Sequence, residues 1–308
     1  MAGKLQSSEW VWRDGEFVRW EDATVHLLSL AVQFGSSLFE GIRCYDTPEG
    51  PSIFRLDAHI ARLFRSCKIY RMVPPYTREA IEEACRETVR RNGLKNCYVR
   101  PMVLRGYGAA GLDPTESPIE TAIATWPWGA YLGADALEAG VDVCVSTWNR
   151  PAPNTFPSHA KAAGHYNNAQ LIKMEAIVNG YAEAIVLGTH GRVSEGGGQN
   201  IFLIQDGVVV TPQLDGTLLQ GITRDAILIL AADMGLETRE QPIPREDLYT
   251  ADELFFTGTA TEVTPIRSVD RIEIGDGKAG PLSLEIQKRF MAIVTGEAED
   301  PHGWRTLV

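Results

Sequence analysis

Two of the four Asp-Gly dipeptides, those flanked on both sides by apolar runs, constrain the architecture more than any other feature. Trp10-Val11-Trp12 and Glu16-Phe17-Val18 flank Asp14-Gly15, while the apolar runs 201–204 and 208–210 flank Asp206-Gly207. Asp-Gly supplies the positive φ angles of a tight antiparallel turn, so both segments predict β-hairpins. Between them, 57–70 has helical spacing, with Ile60, Leu63, Phe64 and Cys67 on one stripe. Thr77-Arg78-Glu79-Ala80 opens a second helix, and Asn92-Gly93 closes it. The segment 97–104 reads as a strand with Tyr98 and Arg100 on one face, and Pro101 argues for an edge or irregular strand. Strands over 141–147, 184–188 and 253–257 alternate with helices over 166–180 and 222–236. The pattern predicts an α+β fold with mixed sheets rather than a regular doubly wound one. A dinucleotide fingerprint, G-x-G-x-x-G opening a helix after a strand, is not expected. The Gly- and Ala-rich stretch 105–114 reads as a mobile loop, and Trp126-Pro127-Trp128-Gly129-Ala130-Tyr131 marks a domain boundary.

The chain has 308 residues, enough for two domains, with 44% hydrophobic and 22% charged residues. Its formal net charge is −11 and no Lys/Arg run exceeds two residues, as at Arg90-Arg91. Nucleic acid and an anionic membrane surface are therefore not expected partners. Cys44, Cys67, Cys85, Cys97 and Cys144 are odd in number and form no C-x-x-C pair. Neither a disulfide framework nor a structural zinc is expected, and a reducing cytoplasm fits. Met1 to Ser8 lacks the apolar core of a signal peptide, and no apolar run is long enough to span a membrane.

Lys161 is the foremost candidate for chemistry. It sits between Ala160 and Ala162-Ala163-Gly164, after the Pro-rich 150–154, rather than among other charges. Small neighbours let another group approach, and a lysine in a tight, partly dry pocket can attack an aldehyde to form a Schiff base. A lysine packed by its stem fits the same local sequence. Glu195, leading into three glycines, is placed to hold a proton on a ring nitrogen; a solvated turn glutamate fits equally. Gly221-Ile222-Thr223 starts a helix whose free N–H groups suit a phosphate, and Thr257-Gly258-Thr259-Ala260-Thr261 could close its other side. Plain N-capping explains both as well. Arg62 lies roughly opposite the apolar stripe of its helix, so periodicity calls it solvated. Arg43 reads equally as a surface charge. Tyr98 and Arg100 suit a carboxylate receptor, or an aromatic beside a surface ion pair. The six histidines, including His59 and His165, show no metal-ligand spacing and read mostly as surface or helix-end residues.

Taken in order, Gly35-Ser36-Ser37-Leu38-Phe39-Glu40-Gly41-Ile42-Arg43, Tyr98-Val99-Arg100-Pro101, Pro127-Trp128-Gly129-Ala130-Tyr131, Asn149-Arg150-Pro151-Ala152-Pro153-Asn154, Ala160-Lys161-Ala162, Ser194-Glu195-Gly196, Gly221-Ile222-Thr223-Arg224 and Gly258-Thr259-Ala260 form a familiar string. The chain resembles the branched-chain-amino-acid aminotransferases of the fold-type IV (class IV) pyridoxal-phosphate-dependent family, from about Trp10 to Gly303. The resemblance implies a two-domain fold like that of D-amino-acid aminotransferase, with the active site between the domains. On that basis 1–128 is expected to form a small N-terminal domain, 129–137 an interdomain loop and 138–308 a large C-terminal domain. It implies pyridoxal 5'-phosphate as cofactor, no metal, amino acids and 2-oxo acids as small-molecule partners, and a homodimer or higher oligomer.

The resemblance also implies roles. Lys161 is the Schiff-base lysine and proton shuttle, Glu195 the pyridinium partner and Tyr166 the ring-hydroxyl partner. Arg62 binds the phosphate, against the periodicity argument, with Ile222, Thr223 and Thr259 as its cradle. Tyr98 and the backbone of Ala260 and Thr261 receive the α-carboxylate. Phe39, Gly41, Tyr131 and Ala260 wall the substrate pocket, Arg100 receives glutamate's second carboxylate, and Arg43 helps shape the pocket. Three positions depart from the usual pattern: Phe34 for a tyrosine, Gln199 for a glutamate and Thr261 for an alanine. They bear on substrate range. The expected activity is transamination of L-leucine, L-isoleucine and L-valine with 2-oxoglutarate. An (R)-selective amine transaminase, a D-amino-acid transaminase and aminodeoxychorismate lyase stay open beside it.

Overall fold

The computed structural model describes residues 5–109, 111–129 and 134–308. The chain divides into two compact units that are discontinuous in sequence. One holds the described residues up to Gly129 together with Ala160–His165 and Ile293–Val308; the other holds Tyr166–Ala292 with the stretch ending at His159. The change of unit after Gly129 falls beside the Trp-Pro-Trp-Gly segment. The expected continuous span 138–308 does not describe the second unit, because the Lys161 segment and the C-terminal strand pack with the N-terminal residues.

Both predicted hairpins form. Trp10–Arg13 pairs with Glu16–Arg19, with φ of 46° at Asp14 and 95° at Gly15. Asn200–Gln205 pairs with Val208–Pro212, with φ of 51° at Asp206 and 77° at Gly207.

In the first unit the described residues build an eight-stranded sheet. Its order is Arg305–Leu307, Gly50–Phe54, Ile42–Thr47, Cys97–Arg105, Ile119–Pro127, Trp10–Arg13 and Glu16–Arg19, with Ser37–Phe39 also pairing to Cys97–Arg105. The helices Leu56–Ile69 and Arg78–Arg91 pack Ile60, Ile81, Cys85 and Val89 onto Ile42, Cys44, Val99 and Ile123 of this sheet. Thr77 caps the second helix, its Oγ1 accepting the Ala80 N–H at 3.2 Å.

Pro101 does not lie on an edge strand. Cys97–Arg105 is flanked on one side by Ile119–Pro127 and on the other by both Ser37–Phe39 and Ile42–Thr47. Those last two strands are interrupted at residues 40–41. The Pro101 carbonyl accepts the Glu40 N–H at 2.9 Å, so the proline nitrogen faces that interruption and no ladder bond is lost. Arg105 ends the strand rather than opening a mobile loop; its buried guanidinium donates to the carbonyls of Tyr70, Arg71 and Pro114. Gly106, Gly108 and Gly111 do carry dinucleotide-fingerprint spacing after a strand. The next element is the antiparallel strand Ile119–Pro127, however, so among the described residues no helix terminus stands there to meet a phosphate.

The described residues of the second unit form a nine-stranded sheet. Its order is Val193–Gly196, Glu183–Leu187, Val141–Val145, Glu262–Val269, Glu253–Gly258, Asn200–Gln205, Val208–Pro212 and Thr238–Gln241, with Ile272–Glu273 beside Glu262–Val269. Three of its pairings are parallel and the rest antiparallel, the mixed arrangement expected. Val143, Ile185, Ile201, Leu254, Phe256 and Ile266 form its main core. The helix Tyr166–Val178 packs Ile172 and Ala176 on Cys144, Ala184 and Val186.

Candidate active site

In the first unit, the backbone around Lys161 is fixed on both sides. Its N–H donates to Ser66 Oγ at 3.0 Å, its carbonyl accepts the Phe39 N–H at 3.1 Å, and Ala162 bridges to Leu38. Ala160 and Ala162 are buried, while Lys161 itself is half-buried. The small residues let the segment lie flat on the Ser37–Phe39 strand and the Leu56–Ile69 helix. Nζ lies 5.3 Å from the centre of the Phe39 ring, so the stem runs over an aromatic face.

Arg62 is buried, and the periodicity reading that placed it in solvent is overturned. The helix Leu56–Ile69 is covered on two sides, and His59, Arg62 and Ser66 form a buried polar stripe beside the apolar one. Arg62 Nε and Nη2 each donate to Glu40 at 2.7 Å, and His59 Nδ1 stands 2.8 Å from Glu40 Oε2. His59 is thus wholly buried rather than a surface histidine. Burial pushes the Glu40 carboxyl upward, but the Arg62 charge and the bonds from Arg62 and His59 outweigh it and hold Glu40 below the usual carboxylate range. Burial holds His59 below its ordinary value, with Glu40 opposing. His165 meets the Tyr70 hydroxyl at 3.1 Å.

Tyr98 and Arg100 share one face of their strand, as expected. A side chain at Gly41 would place its Cβ 1.9 Å from the Tyr98 hydroxyl, so glycine there makes room for Tyr98. Tyr98 meets Trp126 and Trp128 in tilted contacts at centroid distances of 5.1 and 4.9 Å, and the two indoles stand edge-on to each other at 6.2 Å. The Arg100 guanidinium lies 4.6 Å from the Phe39 ring centre and 5.3 Å from that of Tyr98. Its Nε is buried with no hydrogen-bond partner among the described residues. Arg43 is buried over Tyr45 at 4.9 Å, not a surface charge. Tyr131 lies outside the described residues.

In the second unit, Glu195 is buried on the strand Val193–Gly196, which removes the solvated-turn reading. It accepts from Asn200 Nδ2 at 3.1 Å and from the Leu219 N–H at 3.2 Å, and pairs with Arg150 Nε at 3.1 Å. Arg150 also donates to the carbonyls of Gly196 and Gly197 at 2.7 and 2.9 Å. Those two glycines are required by internal packing: a Cβ at Gly196 would come within 2.8 Å of the Phe256 ring, and one at Gly197 within 2.9 Å of Glu183. Tyr166 opens its helix in the same unit, half-buried.

Gly221 caps the helix Ile222–Asp233, whose first residues Ile222 and Thr223 are buried. A Cβ at Gly221 would fall 1.9 Å from Asn200 Oδ1. Thr259, Ala260 and Thr261 form the turn between the strands Glu253–Gly258 and Glu262–Val269. Thr257 Oγ1, Thr261 Oγ1 and Gln199 Nε2 are buried with no hydrogen-bond partner among the described residues. Buried hydroxyl and amide donors left without acceptors are the complement of an anion, so these residues fit a phosphate-bearing ligand. Among the described residues no cluster of His, Cys, Asp and Glu could hold a metal ion.

Glu40, His59, Ser66, Arg150 and Asn200 were given no role by sequence reasoning. Glu40 lies inside Phe39-Glu40-Gly41 and Arg150 inside the Asn149–Asn154 motif, so position within a motif was the available signal. Nothing local pointed to His59 or Ser66.

The amino-transferase class IV profile matches residues 37–269, and the chain belongs to that family. The branched-chain-amino-acid aminotransferase of Escherichia coli (strain K12) is 49% identical over 300 residues, covering 97% of each chain. The solved T.th. branched-chain amino acid aminotransferase with pyridoxamine 5'-phosphate superposes with a TM-score of 0.95 at 42% identity, over 99% of both chains. The same enzyme complexed with N-(5'-phosphopyridoxyl)-L-glutamate gives 0.92 at 40% identity, again over 99% of both.

Proposed function

We propose that this chain is a pyridoxal-phosphate-dependent transaminase that exchanges the amino group of L-leucine, L-isoleucine and L-valine with 2-oxoglutarate. The observation that carries this reading is the 49% identity to the Escherichia coli enzyme over 97% of both chains. The T.th. structures, with pyridoxamine 5'-phosphate and with a phosphopyridoxyl-glutamate adduct, support the cofactor and the glutamate partner.

When bound, the cofactor supplies an electron-withdrawing ring that stabilises the charge left on the substrate carbon. The amine of Lys161 holds the cofactor and then carries the α-proton; fixing both of its peptide groups limits where that amine can reach. Glu195, paired with Arg150 and bonded by Asn200, is placed to hold a proton on the ring nitrogen. Tyr166 bonds the ring hydroxyl. Arg62, the N-terminus at Ile222 and Thr223, and Thr259 hold the phosphate. Tyr98 and the turn at Ala260 and Thr261 take the α-carboxylate, while Phe39, Gly41, Arg43 and Tyr131 shape the apolar wall. The buried Nε of Arg100, lacking a partner among the described residues, suits the second carboxylate of glutamate, which an apolar side chain does not carry.

Exposed Leu27, Leu28, Val32 and Phe34, next to Tyr107 through its ring contact with His26, support assembly into a homodimer or higher oligomer. Five free, buried thiols support the reducing cytoplasm as its place. The purified protein is expected to be yellow and to transaminate L-leucine faster than D-alanine or (R)-1-phenylethylamine. A colourless protein that takes up no pyridoxal phosphate ends the reading.

A further inference from the structure

His59, Arg62 and Ser66 recur along one face of the helix Leu56–Ile69, and none is exposed by more than 3%. Ser66 holds the Lys161 backbone, whereas His59 and Arg62 converge on Glu40. The Glu40–Arg62 pair is side-on. Nε meets Oε1 and Nη2 meets Oε2, both at 2.7 Å, and His59 Nδ1 meets Oε2 at 2.8 Å. This geometry fixes the guanidinium plane and its rotation, which a single bond would not.

Burying such a group is costly for stability, since an apolar cluster of the same volume usually does as well or better. Apolar neighbours are at hand: Leu38, Leu63 and Cys67 pack together alongside. A carboxylate retained there calls for a reason besides packing. Glu40 is itself immobile, its N–H bound to Pro101 in the interruption of the sheet, and the adjoining Phe39 N–H is bound to the Lys161 carbonyl. One three-residue segment therefore connects Arg62, Lys161 and the Gly41–Tyr98 contact.

We infer that Glu40, backed by His59, is a positioning residue for the cofactor phosphate: it clamps Arg62 so that the guanidinium meets the phosphate in a single orientation. The inference rests on the cofactor reading above. Glu40 itself touches neither phosphate nor substrate.

The test compares two probes that differ only in the phosphate. The full chain, stripped of cofactor, is titrated with pyridoxal 5'-phosphate and with pyridoxal, following visible absorbance. In Glu40→Gln the dissociation constant for pyridoxal phosphate should rise about tenfold while that for pyridoxal stays within about twofold, the size of one lost charge-assisted bond. In His59→Phe, which leaves the Glu40–Arg62 pair in place, the same selective loss should be about threefold. A merely structural role would weaken both probes alike. An unchanged preference for the phosphorylated probe in every variant that folds, judged by circular dichroism, overturns the inference. Should Glu40→Gln fail to fold, His59→Phe decides alone. A wild type that binds neither probe would instead sink the cofactor reading itself.

Discussion

The peptide N–H of Lys161 rests on the hydroxyl of Ser66 at 3.0 Å. Ser66 is wholly buried, so water cannot replace it as acceptor. Ser66→Ala should lower unfolding free energy by about 1–3 kcal/mol, the usual penalty for stranding a buried donor. It should also reduce kcat, since the reactive amine loses one of its two backbone anchors. Urea unfolding and leucine transamination check this; full stability with full activity would show the bond to be idle.

Arg150 answers Glu195 and two glycine carbonyls at once. Arg150→Ala removes the cationic partner of a buried carboxylate and should cost about 3–5 kcal/mol. Arg150→Lys cannot reproduce the planar fork and should recover less than half of that. The weakened hold on Glu195 should appear as faster loss of yellow colour on dialysis.

Gly41→Ala would drive a methyl group to within 1.9 Å of the Tyr98 hydroxyl. The tyrosine must move, and with it the proposed α-carboxylate contact. We expect kcat/KM for L-leucine to drop about tenfold or more, with the cofactor still bound, because the clash lies on the substrate side. Steady-state kinetics beside the visible spectrum separates the two effects.

Arg100→Met keeps the stacking on Phe39 and Tyr98 but removes the fork. KM for 2-oxoglutarate should rise about tenfold or more, while the half-reaction with L-leucine changes by less than about twofold. Single-turnover measurement of each half-reaction gives the answer. Equal damage to both would place Arg100 elsewhere in the mechanism.

Stability should fall on acidification, and the sign follows from two groups. Both Glu40 and His59 are held below their ordinary values of 4.5 and 6.5 in the folded chain. Each therefore binds protons more readily when unfolded, so its contribution is complete above its ordinary value and declines below it. The melting temperature should drop below pH 6.5 as His59 is drawn to protonate, and more steeply below pH 4.5 as Glu40 is. His59→Phe should flatten the upper part of that curve. A melting temperature that holds constant from pH 7 to pH 4 would contradict the buried triad.

The hairpins were legible because Asp-Gly between two apolar runs favours positive φ at both turn residues, a local preference that Asp14-Gly15 and Asp206-Gly207 follow. The mixed sheets were legible from those hairpins together with the alternation of strands and helices after residue 141. Arg62 and His59 were illegible for the opposite reason: helical periodicity assumes one buried face, and Leu56–Ile69 is enclosed on two. Pro101 misled because a strand neighbour can be broken mid-sheet, which only pairing reveals. Of the three glycines after Glu195, Gly196 and Gly197 answer to the packing of Phe256 and Glu183, which no local pattern announces. Lys161 and Glu195 came from motif order; the contact of Ser66 with the Lys161 backbone and those of Arg150 and Asn200 with Glu195 needed coordinates, although Arg150 lies inside a motif.

One edge strand of the first sheet, Arg305–Leu307, pairs with Gly50–Phe54, and the Trp304 carbonyl accepts the Arg55 N–H while the Trp304 ring stands edge-on to Phe54. On the ribosome, the edge at Ser52 to Phe54 must wait, unsatisfied, until residues 55–307 have been translated. Loss or obstruction of Arg305–Leu307 would leave that nascent edge open to a neighbouring polypeptide.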